Sequence, residues 1–171
     1  VTGKADKEFA PATPPLGVRG RAILEVRVQV RAQDLWRLTD VHVNKGDWVD
    51  FVARGSWWSG ISSTGPDGDN GLFGLMRPSC SACPVSDGNL GQLVGKVGSY
   101  PPFGIGARKT EFVRAGGIIS LAMNDNLGPC APGNPGSCYS DNEGTMEVKI
   151  TVWRDDAAQI NGAADGALLH R

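Results

Sequence analysis

The sequence predicts an all-β fold, a jelly-roll-like β-sandwich, and three observations carry that prediction. Residues 23–31 alternate Leu24, Val26, Val28 and Val30 with Glu25, Arg27, Gln29 and Arg31, the period of a strand with one face buried. The chain holds 24 Gly and 11 Pro, and apolar residues seldom recur at helical spacing. About eight short apolar segments follow one another with turn residues between them, the punctuation of a sandwich or jelly roll.

Residues 1–20 are polar, carry Pro11, Pro14 and Pro15, and read as an extended N-terminal arm or linker. The strand at 23–31 opens a domain spanning 21–153. Residues 34–43 give a second strand anchored by Trp36, Leu38, Val41 and Val43. Asn44-Lys45-Gly46-Asp47 makes the next turn, with Gly46 supplying a positive φ at little cost. A third strand runs from Trp48 to Ala53 and ends at Gly55. Residues 56–91 read mostly as loop, and a loop of that length in a small domain is functional or cross-linked. Within it, Trp57-Trp58 is a sugar-stacking platform or a rim of the core, and the alternation of strands assigns one of the pair to the core. Gly65-Pro66-Asp67-Gly68-Asp69-Asn70-Gly71 has the composition of an EF-hand loop without its spacing, and reads as a turn. Short strands are expected at 93–97, 104–107, 110–113, 118–123 and 145–153, followed by an Ala- and Gly-rich tail at 154–171.

The densest chemistry lies where two of these strands meet. Ile118, Ile119, Leu121 and Met123 lead into Asn124-Asp125-Asn126, and Ser140-Asp141-Asn142-Glu143-Gly144 leads into Met146, Val148, Ile150 and Val152. Two strand ends thereby bring carboxylates and carboxamides to the two sides of one Gly- and Pro-rich loop. A hard cation such as Ca2+ takes about six to eight oxygen ligands of this kind. The same residues also form solvated turns, and composition alone does not separate the two readings.

Composition excludes several classes. Lys plus Arg is 17 and Asp plus Glu is 18, so no basic face marks a nucleic-acid partner or an anionic membrane surface. No run of about 18 apolar residues is present, which excludes insertion by a transmembrane helix. The start at Val1, without Met or a leader, reads as a processed or trimmed chain. Two residues separate Cys80 from Cys83, and seven separate Cys130 from Cys138. The second spacing is too wide for a four-Cys zinc site, and no amphipathic helix follows Cys83 as a redox motif requires. Local disulfides in an oxidising compartment fit better, with Cys130 and Cys138 clamping the loop, although four cysteines allow three connectivities. The expected location is secreted or extracellular, the periplasm or cell surface included.

Taken in order over residues 24–153, several short stretches resemble one family. They are Asn44-Lys45-Gly46-Asp47, Ala53-Arg54-Gly55-Ser56-Trp57, Gly65-Pro66-Asp67-Gly68-Asp69, the pair Cys80 and Cys83, Leu93-Val94-Gly95-Lys96-Val97-Gly98, Gly104-Ile105-Gly106, Leu121-Ala122-Met123-Asn124-Asp125 and Asp141-Asn142-Glu143-Gly144. The chain resembles the calcium-dependent, galactose-binding bacterial lectins of the PA-IL type. That resemblance implies a galactose-binding-domain-like sandwich in which one Ca2+ sits where two loops meet, with two sugar hydroxyls completing its shell. By position it makes Asp125, Asp141 and Asn142 side-chain ligands, with a backbone carbonyl near Trp58 or Ser59 and another from the 127–139 loop. Asp125, Asn126 and Asp141 would hold the sugar hydroxyls, with Trp57 or Trp58 over the ring. The sequence departs from the family at two places. Asp141 stands where the family has Asn, and Asn70-Gly71-Leu72-Phe73-Gly74 lacks the His and Gln that reach the sugar's outer hydroxyl.

The expected function is therefore a secreted, calcium-dependent carbohydrate-binding module whose partner is galactose-like or another glycan. The alternative is a calcium-stabilised extracellular structural, filament or adhesin subunit, with the arms at 1–20 and 154–171 docking on neighbours in a homo-oligomer. No enzyme is expected. His42 lies in a strand and His170 in the tail, without an evident nucleophile, and a cation at Asp125 and Asp141 would leave no general acid.

Overall fold

The structure, a computed structural model, describes residues 13–18, 20–69, 71, 81–131 and 134–155, with side chains omitted for 129–137. The strands, in order, are β1 (Arg21–Arg31), β2 (Arg37–Val43), β3 (Trp48–Trp58), β4 (Ser63–Thr64), β5 (Asp67–Asp69), β6 (Leu90–Val97), β7 (Phe103–Gly104), β8 (Arg108–Phe112), β9 (Gly117–Met123), β10 (Pro129–Ala131), β11 (Asn134–Ser137) and β12 (Glu143–Arg154). All pairings are antiparallel. One sheet runs β1-β12-β3-β4 with β8 also on β3, the other runs β2-β9-β6-β5 with β7 also on β6, and β10 and β11 form a separate ribbon. The all-β expectation holds.

The two five-stranded sheets face each other across one core. Val30, Phe51, Met146 and Ile150 from the first meet Val43, Leu93, Ile119 and Leu121 from the second in a single buried cluster. Phe51 of β3 and Phe103 of β7 bring their ring centroids within 6.2 Å across the layers. Alternation writes this arrangement into the strands: in β12, Met146, Val148 and Ile150 are buried and Glu147 and Lys149 are not. Glu147 on the outer face accepts from Arg27 of β1 at 3.1 Å and Arg54 of β3 at 2.7 Å, so opposite charges line the open side of the sheet. At the far end of the sandwich, Arg154 donates twice, at 2.7 Å each, to Asp47, which is 2% exposed.

Several local expectations are corrected. The second strand begins at Arg37, not residue 34, because Asp34 closes a turn back onto Arg31 through backbone and guanidinium bonds. Trp36 and Asp40 hold φ near +60°, and the register with β9 shifts between Leu38 and His42, so β2 is bulged. The third strand does not stop at Gly55; it continues to Trp58 because β12 pairs with it through Glu143–Trp58. The stretch read as loop holds β4 and β5, and the 127–139 loop holds β10 and β11. Gly46 takes φ +95° in the expected turn. Of the arm, Val18 is buried and Leu16 is fully exposed, while residues 1–12 and the tail beyond 155 lie outside the described residues, as does His170. No helix among the described residues is long and apolar enough to cross a membrane.

Candidate functional site

Three strand ends converge at one pole of the sandwich. β9 ends at Met123 and delivers Asn124-Asp125-Asn126; β12 starts at Glu143 and is preceded by Asp141 and Asn142. The pairing of Glu143 with Trp58 sets Ser59, just beyond β3, beside the residues that enter β12. A 3-10 turn over Cys138–Asp141 brings the chain in, and the Tyr139 hydroxyl fixes it by donating to the Met123 carbonyl at 2.5 Å. Burial, then the nearby Asp125 charge, pushes that phenol well above its ordinary range, so it stays a donor.

Asp125, Asp141 and Asn142 are thus brought together. Asp125 is 3% exposed, and its Oδ2 accepts from Asn142 Nδ2 at 2.8 Å while its Oδ1 accepts from the Asn126 backbone at 2.7 Å. Asn142 is fully buried, and its Nδ2 also reaches the Ala32 carbonyl at 3.4 Å. Its other amide atom, Oδ1, is buried without any hydrogen-bond partner. An orphaned buried oxygen costs about 1–3 kcal/mol, an expense natural structures usually offset with an ordered water or an ion. Asp141 is exposed and packs against the 59–62 turn: a Cβ at Gly60, where φ is +77°, would stand 2.7 Å from Asp141 Oδ2. Only glycine lets the turn and the carboxylate approach so closely.

Among the described residues, neither Asp125 nor Asp141 pairs with a Lys, Arg or His. Burial raises the Asp125 carboxyl above its ordinary range and the Asp141 charge adds to this, while the bonds from Asn142 and Asn126 oppose it. A folded-state pKa above the unfolded one means that Asp125 contributes stability at low pH and loses it as pH rises through its native pKa. We expect chelator-treated protein to lose thermal stability relative to Asp125→Asn as pH rises from the ordinary carboxylate value through that raised one. Thermal melts of both proteins over this range check the sign.

The other residues singled out in the sequence divide. Trp57 is 2% exposed and donates its indole N–H to the Gly91 carbonyl at 2.7 Å, so it belongs to the core and has no face for a ligand. Trp58 is 42% exposed on the opposite side of β3. Ser59 is buried, with its N–H and hydroxyl both directed to the Ser62 carbonyl. Asn126 is partly buried and caps Gly128 through Oδ1 at 2.8 Å. Asp67 and Asp69 serve local loops, accepting from Ala107 and from Gly71 and Ser62. Cys83 and Cys138 are both disulfide-bonded. Cys80 and the Cys130 side chain lie outside the described residues, so the Cys130–Cys138 clamp does too. One supporting residue, Tyr139, escaped the sequence reading; its signal was a lone aromatic in a Gly- and Pro-rich loop. Asn124, read in the sequence as part of the polar strand end, is fully buried and holds the 85–89 loop through Val85 and Asn89.

No group of three His, Cys, Asp or Glu side chains gathers as a metal site among the described residues; the cluster here is two carboxylates and a carboxamide. No protein-family description matches the chain, and no curated protein matches it in sequence. Among solved structures, the chain is similar to the EclA N-terminal domain, described as a PllA-like lectin. The similarity covers 75% of this chain and 95% of that domain, at 22% identity and a TM-score of 0.48. The two-sheet architecture stands on the strand pairing above, independently of that similarity.

Proposed function

We propose that the protein is a carbohydrate-binding module that holds a glycan through a Ca2+ ion at Asp125, Asp141 and Asn142. The observation that carries this reading is the buried, unpartnered Asn142 Oδ1 beside two carboxylates that no basic side chain among the described residues neutralises. A hard cation answers each of these features: it accepts the orphan oxygen as ligand and offsets the repulsion between the acids. The residues present fit the ion, with the Ser59 carbonyl and a carbonyl of the 127–139 loop as further oxygen donors. Open coordination positions would then take two vicinal hydroxyls of a sugar. Asp125 and Asp141 would accept charge-assisted hydrogen bonds from those hydroxyls. Secretion and local disulfides belong to the same reading, since extracellular fluid supplies both calcium and an oxidising milieu.

Trp58 supplies the apolar wall. Covering half of its indole with a pyranose face is worth about 1–1.5 kcal/mol, or roughly tenfold in affinity. Trp58→Ala should therefore weaken glycan binding about tenfold while leaving calcium affinity unchanged. Parallel calorimetric titrations with calcium and with sugar make that separation.

The reading itself is tested by titrating galactose, then a panel of other neutral and charged monosaccharides, into protein saturated with Ca2+ and into protein held in chelator. Sugar heat that appears only with calcium supports it; sugar heat indifferent to calcium counts against it. A second reading, in which the ion only ties loops together in a structural subunit, is favoured by the way the cluster joins β9 of one sheet to β12 of the other. It requires calcium binding with no sugar heat across the whole panel.

A further inference from the structure

A second recess lies on the outer face of the β2-β9-β6 sheet. It has a volume of about 380 Å3 and is lined by Trp36, Lys96, Ser99, Tyr100, Pro101 and Leu127, among others. None of its lining belongs to the Asp125, Asp141 and Asn142 cluster. The Lys96 ammonium stands 4.3 Å from the centroid of the Trp36 ring. Among the described residues no carboxylate pairs with Lys96, and no acidic side chain lines the recess. Tyr100 and Leu127 remain 41% and 48% exposed.

The surrounding backbone is built to hold these groups in place. Trp36 adopts φ +60°, a conformation that costs a bulky residue about 1–3 kcal/mol and persists where surrounding structure imposes it. Lys96 sits within β6, paired with Ser120 of β9, and Tyr100 closes a tight turn onto the Val97 carbonyl at 2.9 Å. A cation over an indole, an exposed phenol and apolar proline walls together offer one positive charge that no described carboxylate pairs with, and flat carbon-rich surfaces. A hexose with a carboxylate complements both: the carboxylate meets the ammonium, and the axial C–H face of the ring lies on the aromatic and proline surfaces. The volume suits one or two sugar units.

We infer that the Trp36–Lys96–Tyr100 recess is a calcium-independent binding site for an acidic hexose unit of the uronate class, separate from the cation cluster. This inference does not depend on calcium binding at Asp125. An acidic peptide would use the lysine but not the sugar-sized aromatic floor, which is why the uronate is favoured.

The test uses the full chain in chelator, titrated by ligand-observed NMR with glucuronate, with glucose as the neutral match and acetate as the bare carboxylate. Glucuronate should bind at least about tenfold more tightly than either comparator. Lys96→Gln should bring glucuronate to the level of glucose, and Tyr100→Ala should weaken both sugars. Tyr100 is exposed, so its variant keeps the test decisive if Lys96→Gln fails to fold. The inference is overturned if glucuronate does not bind, if Lys96→Gln leaves its affinity intact, if acetate equals it, or if an oligoglutamate peptide binds more tightly.

Discussion

Asp125→Ala is expected to lower calcium affinity by more than a hundredfold, beyond the roughly 10–100-fold that loss of an outer-shell partner costs a metal site. Three roles end together in this variant. The only buried carboxylate of the cluster is removed, the Asn142 amide loses the acceptor that orients it at 2.8 Å, and Asp141 is left as the sole anion. Stability follows by linkage. Calcium at a hundredfold its dissociation constant stabilises the folded state by about 2.7 kcal/mol, and the variant should gain almost none of it. Without calcium the order reverses. Ionised Asp125 is buried and faces Asp141, so neutral Asp125→Asn should match or exceed the wild type in chelator at neutral pH. Thermal melts with calcium and with chelator read both effects. A wild-type protein whose melting temperature is indifferent to calcium would refute the assignment of the ion.

Trp57→Ala is expected to cost about 3–5 kcal/mol, the range for truncating a large aromatic side chain in a core that relaxes only in part. The indole is 2% exposed, packs within the main cluster, and ties β3 to Gly91 of the other sheet through its N–H. Removing it opens a cavity between the layers and takes from the Gly91 carbonyl its closer donor, leaving Thr64 Oγ1 at 3.4 Å. The neighbouring Trp58→Ala removes a ring that is 42% exposed and should change stability by about 0.5 kcal/mol or less. Urea denaturation of the two variants side by side makes the comparison. Equal losses would mean that the partition of this pair between core and surface is wrong.

The same pair shows what could be read in the sequence. Alternation assigned one of Trp57 and Trp58 to the core, but a period of two does not say which. The answer depends on the register with β12, where Gly144 faces Trp57 and Glu143 faces Trp58. The long strands β1, β9 and β12 were legible because their apolar residues repeat often enough to define a face. β4, β5, β10 and β11 were not, since two to four residues show no periodicity and form only where a partner strand offers a ladder. The start of β2 was misplaced because Arg31 and Asp34 close a turn through a local salt bridge that competes with strand propensity.

For the site, the convergence of Asp125, Asp141 and Asn142 was legible from two strand ends flanking one loop. The electrostatics were not. That Asn142 would be fully buried with one oxygen unmatched, and that Tyr139 would pin the turn to Met123, follow from packing between elements distant in sequence. Gly60 is a further case. Its need for a missing side chain comes from Asp141, about eighty residues away.

The most direct measurement is a calorimetric titration of Ca2+ into the full chain after chelator treatment, at neutral pH. The account predicts saturable binding at one ion per chain, lost in Asp125→Ala and weakened by acidification as Asp125 takes up its proton. Absence of calcium heat, or heat unchanged in Asp125→Ala, would contradict it and leave Asp125, Asp141 and Asn142 as the polar rim of a hairpin.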